Sequence, residues 1–453
     1  MIPEEFLKRM KDLLGEEYPA FYRALGEEDA HGLRVNRQKT DDKRVLETLG
    51  FSPEPLSFVS GGYLVPPGER PGILPQHHAG MYYLQDPSAM ATVAAAPVRP
   101  GMRVLDLCAA PGGKSTQLSA LIGATGILVS NEIVPSRART LVGNMERLGV
   151  RNAVVLHHDP AGIASLFDRY FDFVLVDAPC SGEGMFRKYP EAGTEWSPEN
   201  VRMCAARQRE ILEEAVKTVA EGGYLLYSTC TFSREENEEN VVAFLSTHPE
   251  FVPEPLSPAV EAVTVPGVCA AGEETVLRFC RRYYPHRSPG EGQFMALFRR
   301  IAGGRGGCLY RDASLPLSKR DAENIRAALS SLMRDPPDGR LVGENIVALP
   351  EGFSLPPRGV FMGGVCLGNQ SGSIFTPHHQ CFSAYGKEMA NRLDMTPDDP
   401  RVAAYLRGEE IPAPGVAAGF CAVLLCGAPL GGGKVSNGRL KNRYPKGLRL
   451  PPV

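Results

Sequence analysis

The sequence predicts an α/β protein built on a mostly parallel, doubly wound sheet. Three observations predict it. From Gly101 to about Arg300, short apolar runs alternate with helix-patterned segments, and repeated strand–helix units lay parallel strands under crossover helices. The run Val104-Leu105-Asp106-Leu107 passes through a small-residue turn, Cys108 to Gly113, into a helix start at Lys114-Ser115. Two later apolar runs end in cysteine-bearing loops, at Cys180 and Cys230. Loops at the carboxyl ends of parallel strands line the ligand crevice of such folds, so both thiols are expected to face one pocket.

The elements follow in order. The first hundred residues are Pro- and Gly-rich after an opening helix, with a short strand at Leu33 to Asn36. Strands are expected at Met102 to Leu107, Gly126 to Ser130, Asn152 to Leu156, Phe171 to Val176 and Tyr224 to Ser228. Thr275 to Phe279 and Gln293 to Arg300 are expected as closing strands. Helices are expected at Ser115 to Leu121, Pro135 to Leu148 (with Pro in its first turn), Pro198 to Val219 and Glu235 to Leu245. Ile301 to Gly307 reads as a linker. Beyond it lie short strand-like pieces, a helix at Lys319 to Met333, and a strand pair around Phe420 to Cys426. The expected organisation is a region at 1–95, a central α/β domain at 96–302, and small α+β modules at 308–375 and 378–453.

At 453 residues the chain is long for one core, which fits this division. Hydrophobic residues make up 43%, ordinary for a globular protein, and no apolar run reaches membrane-spanning length. The charged start lacks a signal-peptide core. Eleven cysteines without a single C-x-x-C pair argue against a disulfide framework or zinc ribbon and for a reduced, cytoplasmic protein. A net charge of −3 hides two basic stretches. Gly431 to Val453 holds six basic residues and no acid. Arg278 to Arg287 mixes Arg281, Arg282 and Arg287 with Tyr283, Tyr284 and His286. Cations among aromatics suit a phosphate backbone with stacked bases, although a solvated surface has the same composition.

The turn Cys108-Ala109-Ala110-Pro111-Gly112-Gly113-Lys114 lets backbone approach a ligand and opens on free helix N–H groups. It matches neither the phosphate-cradling P-loop nor the dinucleotide fingerprint. Glu132 ends the next strand and is placed to accept ribose hydroxyls. Asp159 ends the third and is placed for an adenine amino group. Either acid alone also suits a helix cap or turn; their placement at successive strand ends favours adenosine. An adenosine without phosphates points to S-adenosylmethionine as cofactor. His157 and His158 suit local hydrogen bonding better than metal ligation, and no metal is expected.

Carbon 5 of cytosine is too weak a nucleophile to take a methyl group unaided. A thiolate adding at carbon 6 makes carbon 5 enamine-like, and this is covalent catalysis by an activated nucleophile. Hydrogen bonding at ring nitrogen 3 favours the addition, a role for Asp177.

Several motifs in order carry a resemblance over nearly the whole chain. They are Gln85-Asp86-Pro87-Ser88-Ala89-Met90, Asp106 to Ser115, Asp177-Ala178-Pro179-Cys180-Ser181-Gly182-Glu183-Gly184, Tyr227-Ser228-Thr229-Cys230-Thr231 with Glu235-Glu236-Asn237-Glu238, and Pro285-His286. They resemble the Nop/Sun-type RNA cytosine-5 methyltransferases. The resemblance implies a Rossmann-like class I methyltransferase domain with an N-terminal RNA-recognition extension. It assigns the nucleophile to Cys230, product release to Cys180, and cofactor contacts to Cys108 through Lys114, Glu132, Arg137, Asp159 and Asp177. Lys114 is expected to help through the neighbouring ribose or phosphate. DNA cytosine-5 methyltransferases use the Pro-Cys thiol instead, and the Ser-Thr-Cys-Thr setting of Cys230 favours the RNA type.

Tyr405 to Glu409 and Leu440 to Arg449 resemble the end of the RsmF-like bacterial subgroup, which acts on small-subunit ribosomal RNA. A PUA-like RNA-binding module is expected there. One departure is Gly432, where the subgroup often carries tryptophan. The expected partner is therefore RNA, 16S rRNA or the small subunit, with no DNA or membrane, and the expected state a monomer. The target base must be unpaired or flipped out of a duplex. A transfer-RNA cytosine-5 methyltransferase shares the catalytic motifs, and a non-catalytic ribosome-assembly factor could share the fold without the chemistry.

Overall fold

A computed structural model describes residues 2–269, 277–372 and 374–451. The strands of the central sheet are β1 (Arg103–Asp106), β2 (Ile127–Asn131), β3 (Ala153–Leu156), β4 (Phe171–Asp177), β5 (Val219–Thr229), β6 (Arg281–Tyr283), β7 (Gln293–Arg300) and β8 (Val360–Met362). Val265–Pro266 adds a short edge beside β6, giving the order Val265–Pro266, β6, β7, β5, β4, β1, β2, β3, β8, while Phe251–Glu254 pairs with the far half of β7. Strands β3, β2, β1, β4 and β5 run parallel, and β7 lies antiparallel to β5. Val104, Leu105, Val129, Val154, Val174 and Leu175 are fully buried, as near-continuous apolar strands covered on both faces must be.

Chain order reverses between β1 and β4. The crossovers from β1 lead outward through β2 and β3, whereas β4 returns to the opposite side. The carboxyl ends of these two neighbours carry Asp106 and Asp177, and a ligand crevice opens at such a switch point.

Helix α1 (Gly113–Ile122) follows β1, and α2 (Pro135–Leu148) follows β2 with Pro135 at its first position and a left-handed Gly149 beyond its end, the preferred start and stop. Helix α3 (Pro198–Ala215) is shorter than expected: a single turn at Val216–Thr218 follows, and β5 already begins at Val219 against Phe171. Helix α4 (Glu238–Thr247) starts three residues later than expected, because Glu236 and Asn237 turn inward to accept from the Ser181 amide and the Thr229 hydroxyl. The expected strand at Thr275 to Phe279 falls partly outside the described residues. Its described part is a helix end and a turn, and the closing strand is β6.

The N-terminal region packs four short strands into its own sheet, Leu33 included. Segment 308–375 forms a sheet of Arg340–Val342, Asn345–Ala348, Val365–Ser371 and Ile374–Pro377 with helix Lys319–Leu332, and it also lends β8 to the central sheet. The last module is a five-stranded sheet. Its Leu393, Val423 and Leu425 share a core with Leu33, Val35 and Tyr82 of the N-terminal region. Helix α5 (His379–Tyr385) lies against it, with Phe382 pressed on Gly432. Among the described residues no helix is long and apolar enough to cross a membrane.

The basic cluster at Arg278 to Arg287, expected to grip RNA, is largely structural. Arg282 is buried in a two-pronged pair with Glu238, at 2.6 and 2.5 Å, and donates to the Phe232 carbonyl at 2.7 Å. Arg281 donates to the Glu261 and Thr264 carbonyls, and His286 and Arg287 share Glu17. Tyr283 and Tyr284 are core. The cations answer internal acceptors, so little of the cluster is left to meet a phosphate.

Candidate active site

A cavity of about 390 Å3 opens over the ends of β1, β4 and β5. Its walls bring together Cys108, Ala109, Ala110, Pro111, Gly113 and Lys114 from the turn after β1, and Asp177, Cys230 and Arg137 from three other elements. The first wall is close-packed. Gly112 takes φ +110°, and a Cβ there would meet Leu141 at 2.9 Å, so only glycine suits the turn. Arg34 of the N-terminal region reaches across to the Gly113 carbonyl at 3.1 Å and the Thr116 hydroxyl at 2.8 Å, holding the start of α1.

The two thiols meet. Cys180 and Cys230 Sγ atoms lie 3.2 Å apart. The hydrogen bond to Cys230, reinforced by burial, pushes the Cys180 thiol well above its ordinary pKa. Cys180 is therefore held as a thiol, and across the contact either sulfur can be the donor. Cys108 is likewise held as a thiol by burial.

Asp177 accepts from Lys114 Nζ on one oxygen at 2.7 Å, and from Ser228 Oγ at 2.7 Å and Gln293 Nε2 at 3.3 Å on the other. Lys114, expected beside a ribose or phosphate, is thus tied to Asp177. The facing carboxylate keeps its ammonium above the ordinary pKa even though burial opposes the charge.

Two buried acids lace the loops together. Glu183 accepts from Trp196 Nε1, Thr231 Oγ1 and the Phe232 amide, each at 2.9 Å, and from Ser233 Oγ at 2.5 Å. Glu236 accepts from the Ser181 amide at 3.0 Å, from the Ser181 hydroxyl, and from Gln208 Nε2 at 2.8 Å. Burial raises Glu236 to about 7. The sequence contained both acids within recognised motifs but offered no role for them; the only signal is an acid among small residues in a loop that follows a buried strand. Gln293, at the start of β7, carried no signal.

Of the remaining expected residues, Glu132 lies behind Arg137 of the cavity wall, and Asp159 stands apart. Glu132 is buried at the end of β2, its Oε1 accepting from the Val134 amide at 2.9 Å, with Arg137 3.7 Å from Oε2. Arg137 donates to the Ala110 carbonyl at 2.9 Å. Asp159 is exposed and caps the next helix through the Gly162 amide at 2.7 Å, the alternative its position allowed. His157 and His158 hydrogen-bond the Glu132 and Arg358 carbonyls.

Three polar atoms on the cavity wall are buried without a partner: Asp106 Oδ1, Asp86 Oδ2 and Gln85 Nε2. Buried polar atoms ordinarily find hydrogen bonds. Two acceptors and a donor in a concave wall fit a ligand with an ammonium, a sulfonium and hydroxyl groups. Burial also raises Asp106 to about 7, although Ser115 donates to it at 2.6 Å.

Comparison with known proteins agrees with this geometry. Residues 93–299 match a family model described as 16S rRNA methyltransferase RsmB/F, residues 2–87 the N-terminal domain of 16S rRNA methyltransferase RsmF, and residues 392–450 the RsmF PUA domain. Ribosomal RNA small subunit methyltransferase F of Escherichia coli O157:H7 is 30% identical over 98% of this chain and 96% of its own length. The Serratia proteamaculans protein of the same name is 38% identical over 52% of each chain. Among solved structures, a methyltransferase homologue from Pyrococcus horikoshii superimposes with a TM-score of 0.57 at 26% identity, covering 66% of this chain and 95% of that one. NSun6 from the same organism, at 21% identity over 67% of this chain and 99% of that one, shares the fold with a TM-score of 0.57.

Proposed function

The chain belongs to the RsmF family of 16S rRNA methyltransferases, which use S-adenosylmethionine, and from that premise we propose that it methylates carbon 5 of a cytosine in 16S rRNA through a covalent cysteine adduct. The observation that carries the reading is the 3.2 Å approach of Cys180 to Cys230, the thiol that lines the cavity together with Asp177. Methyl transfer to an exocyclic amine needs no second thiol.

When bound, S-adenosylmethionine supplies an electrophilic methyl group. The chain's own residues do the rest. Asp106, Asp86 and Gln85 hold the cofactor through the atoms left without partners, and the turn from Cys108 to Lys114 closes on it. Cys230 adds through its sulfur to carbon 6 of the base. Asp177, itself held by Lys114 and Ser228, accepts from nitrogen 3 of the ring once that nitrogen is protonated as the sulfur adds at carbon 6. After transfer the carbon 5 proton passes to water, the electron pair of that bond re-forms the carbon 5–carbon 6 double bond, and the Cys230 sulfur leaves carbon 6. Cys180, at hydrogen-bond distance from the departing sulfur, assists that elimination.

The test is incubation of the protein with labelled S-adenosylmethionine and 16S rRNA, mapping of the modified base, and denaturing gels of single variants. Cys180→Ala accumulates a protein–RNA adduct; Cys230→Ala forms neither adduct nor product. An adduct in Cys230→Ala but not in Cys180→Ala reverses the roles. Label on transfer RNA alone moves the substrate, and label at another base position ends the carbon 5 reading.

A further inference from the structure

A second cavity, of about 370 Å3, lies far along the chain from the catalytic loops. One side is the four-stranded sheet that ends in strand Ile374–Pro377, at Asn345, Asn369 and Thr376; the other is the tail of the last module, at Arg443, Tyr444 and Arg449, with His378 and His379 between them. Among the described residues no acidic one lines it. Its size falls within the range of about 300–1,000 Å3 usual for small-ligand sites.

Three features say what it holds. First, Arg443 and Arg449 have no carboxylate within ion-pair distance among the described residues, whereas Arg401, Arg407 and Arg439 of the same module pair with Asp399, Glu409 and Glu410. They are held without being neutralised: Arg443 lies over the Phe420 ring at 5.2 Å, and Arg449 donates to the Tyr444 carbonyl at 3.2 Å. A guanidinium presents a donor fork that fits phosphate oxygens. Second, the floor suits a base. His379 stands edge-on to Tyr444 at 5.5 Å, and its Nδ1 is buried without a partner; burial with the nearby Lys39 charge lowers this imidazole to about 3, so it stays neutral and adds no charge to the floor. Third, the charge continues beyond the cleft. Lys434 and Lys441 face each other across neighbouring strands, both exposed, as is Lys446.

We propose that this cleft is a second RNA site, formed jointly by the two C-terminal modules, which seats one unpaired nucleotide with its phosphate on Arg443 and Arg449 and its base against the His379–Tyr444 floor. It rests on the reading that the substrate is RNA, and it makes the last two modules one binding unit. A continuous strand then leaves the cleft along Lys441 and Lys434, which separates an RNA from a free nucleotide.

The test uses the full chain and a fluorescein-labelled, unstructured 12-nucleotide RNA, followed by anisotropy at several salt concentrations. The Arg443→Ala/Arg449→Ala variant should bind about tenfold more weakly. Its slope of log affinity against log salt should fall by about 1.4, at about 0.7 for each single-strand phosphate that is no longer neutralised. Affinity for S-adenosylmethionine should not change. The control Arg407→Ala/Arg439→Ala, which removes ion-paired arginines, should bind as wild type. A 4-thiouridine form of the probe should crosslink within 376–379 or 443–449. Equal weakening by the control, wild-type affinity in the test variant, or crosslinks confined to other segments would overturn the proposal. So would displacement of the probe by a polyglutamate peptide with the same arginine dependence, which marks a protein-binding surface. Loss of methyl transfer to RNA with probe binding intact would strike the catalytic reading alone.

Discussion

Glu183 and Glu236 cross in opposite directions between the two thiol loops. Glu183 leaves the Cys180 loop to hold Thr231, Phe232 and Ser233, while Glu236 leaves the Cys230 side to hold Ser181. The Ser181 and Thr231 hydroxyls join at 2.9 Å between them, and the Gly184 amide closes on the Cys230 carbonyl at 2.9 Å. Neither carboxylate touches a thiol. Together they set the spacing of both.

Glu183→Gln puts an amide donor among four donors and should loosen the Cys230 loop. A reacting atom misplaced by about 1 Å costs on the order of 100-fold, so kcat should fall by about 10- to 100-fold with little change in KM for S-adenosylmethionine. Steady-state kinetics with a separate cofactor-binding measurement decides it: a rise in KM at unchanged kcat would place Glu183 in binding.

Stability should depend on pH through two buried acids. Asp106 and Glu236 are both raised to about 7, chiefly by burial. A carboxyl raised above its unfolded value holds its proton more tightly when folded. Its contribution is complete below the unfolded value, near 4, and is lost as pH rises through 7. Denaturant unfolding at pH 5 and pH 8 should show wild type losing stability relative to Asp106→Asn and Glu236→Gln at the higher pH. A constant gap would rule this out.

Cofactor affinity should move the opposite way. An ionised Asp106 favours a cationic ligand, so S-adenosylmethionine should bind more tightly at pH 8 than at pH 6. Calorimetry on Asp106→Asn should show weaker binding and a flatter pH dependence.

The Arg282–Glu238 pair is fully buried. Removing one partner of such a pair typically costs about 3–5 kcal/mol because the other charge is stranded. Arg282→Ala should lose stability in that range, readable from chemical denaturation. The same change frees the Phe232 carbonyl two residues from Cys230, so activity should fall even where the protein is folded.

Lys39 is the joint of the molecule. Its buried ammonium donates to the Arg147 and Pro429 carbonyls at 2.7 and 2.8 Å, to Ser383 Oγ at 3.0 Å and to the Ala79 carbonyl at 3.1 Å. Burial lowers its pKa well below the ordinary lysine value. Lys39→Met strands these acceptors, at about 1–3 kcal/mol for each one left unsatisfied. Limited proteolysis should then cut near residue 378 faster than in wild type, and unchanged cleavage would dismiss the joint.

Periodicity made much of the central sheet legible. The boundaries of α2 and the runs of β1 to β4 follow from apolar strands between Pro, Gly and capping signals. Cys180, Cys230 and Asp177 were legible because strand-end loops of a parallel sheet converge. What failed were residues whose role depends on a distant partner. Arg282 and Arg287 looked like RNA contacts until Glu238 and Glu17 were found facing them. Asp159 had two local readings, and its side chain took the cap. Gly432, where the resemblance led to an expected tryptophan, is covered by Phe382: a Cβ there would come within 2.3 Å of the ring.

The chain's local chemistry determined which residue types stand at the strand ends, because strand period and turn composition are properties of neighbours in sequence. Tertiary structure alone decided that the two thiols meet, that Lys114 serves Asp177, and that two acids space the thiols. Those outcomes depend on burial and on hydrogen bonds across 50 or more positions of the chain, and no local pattern encodes them.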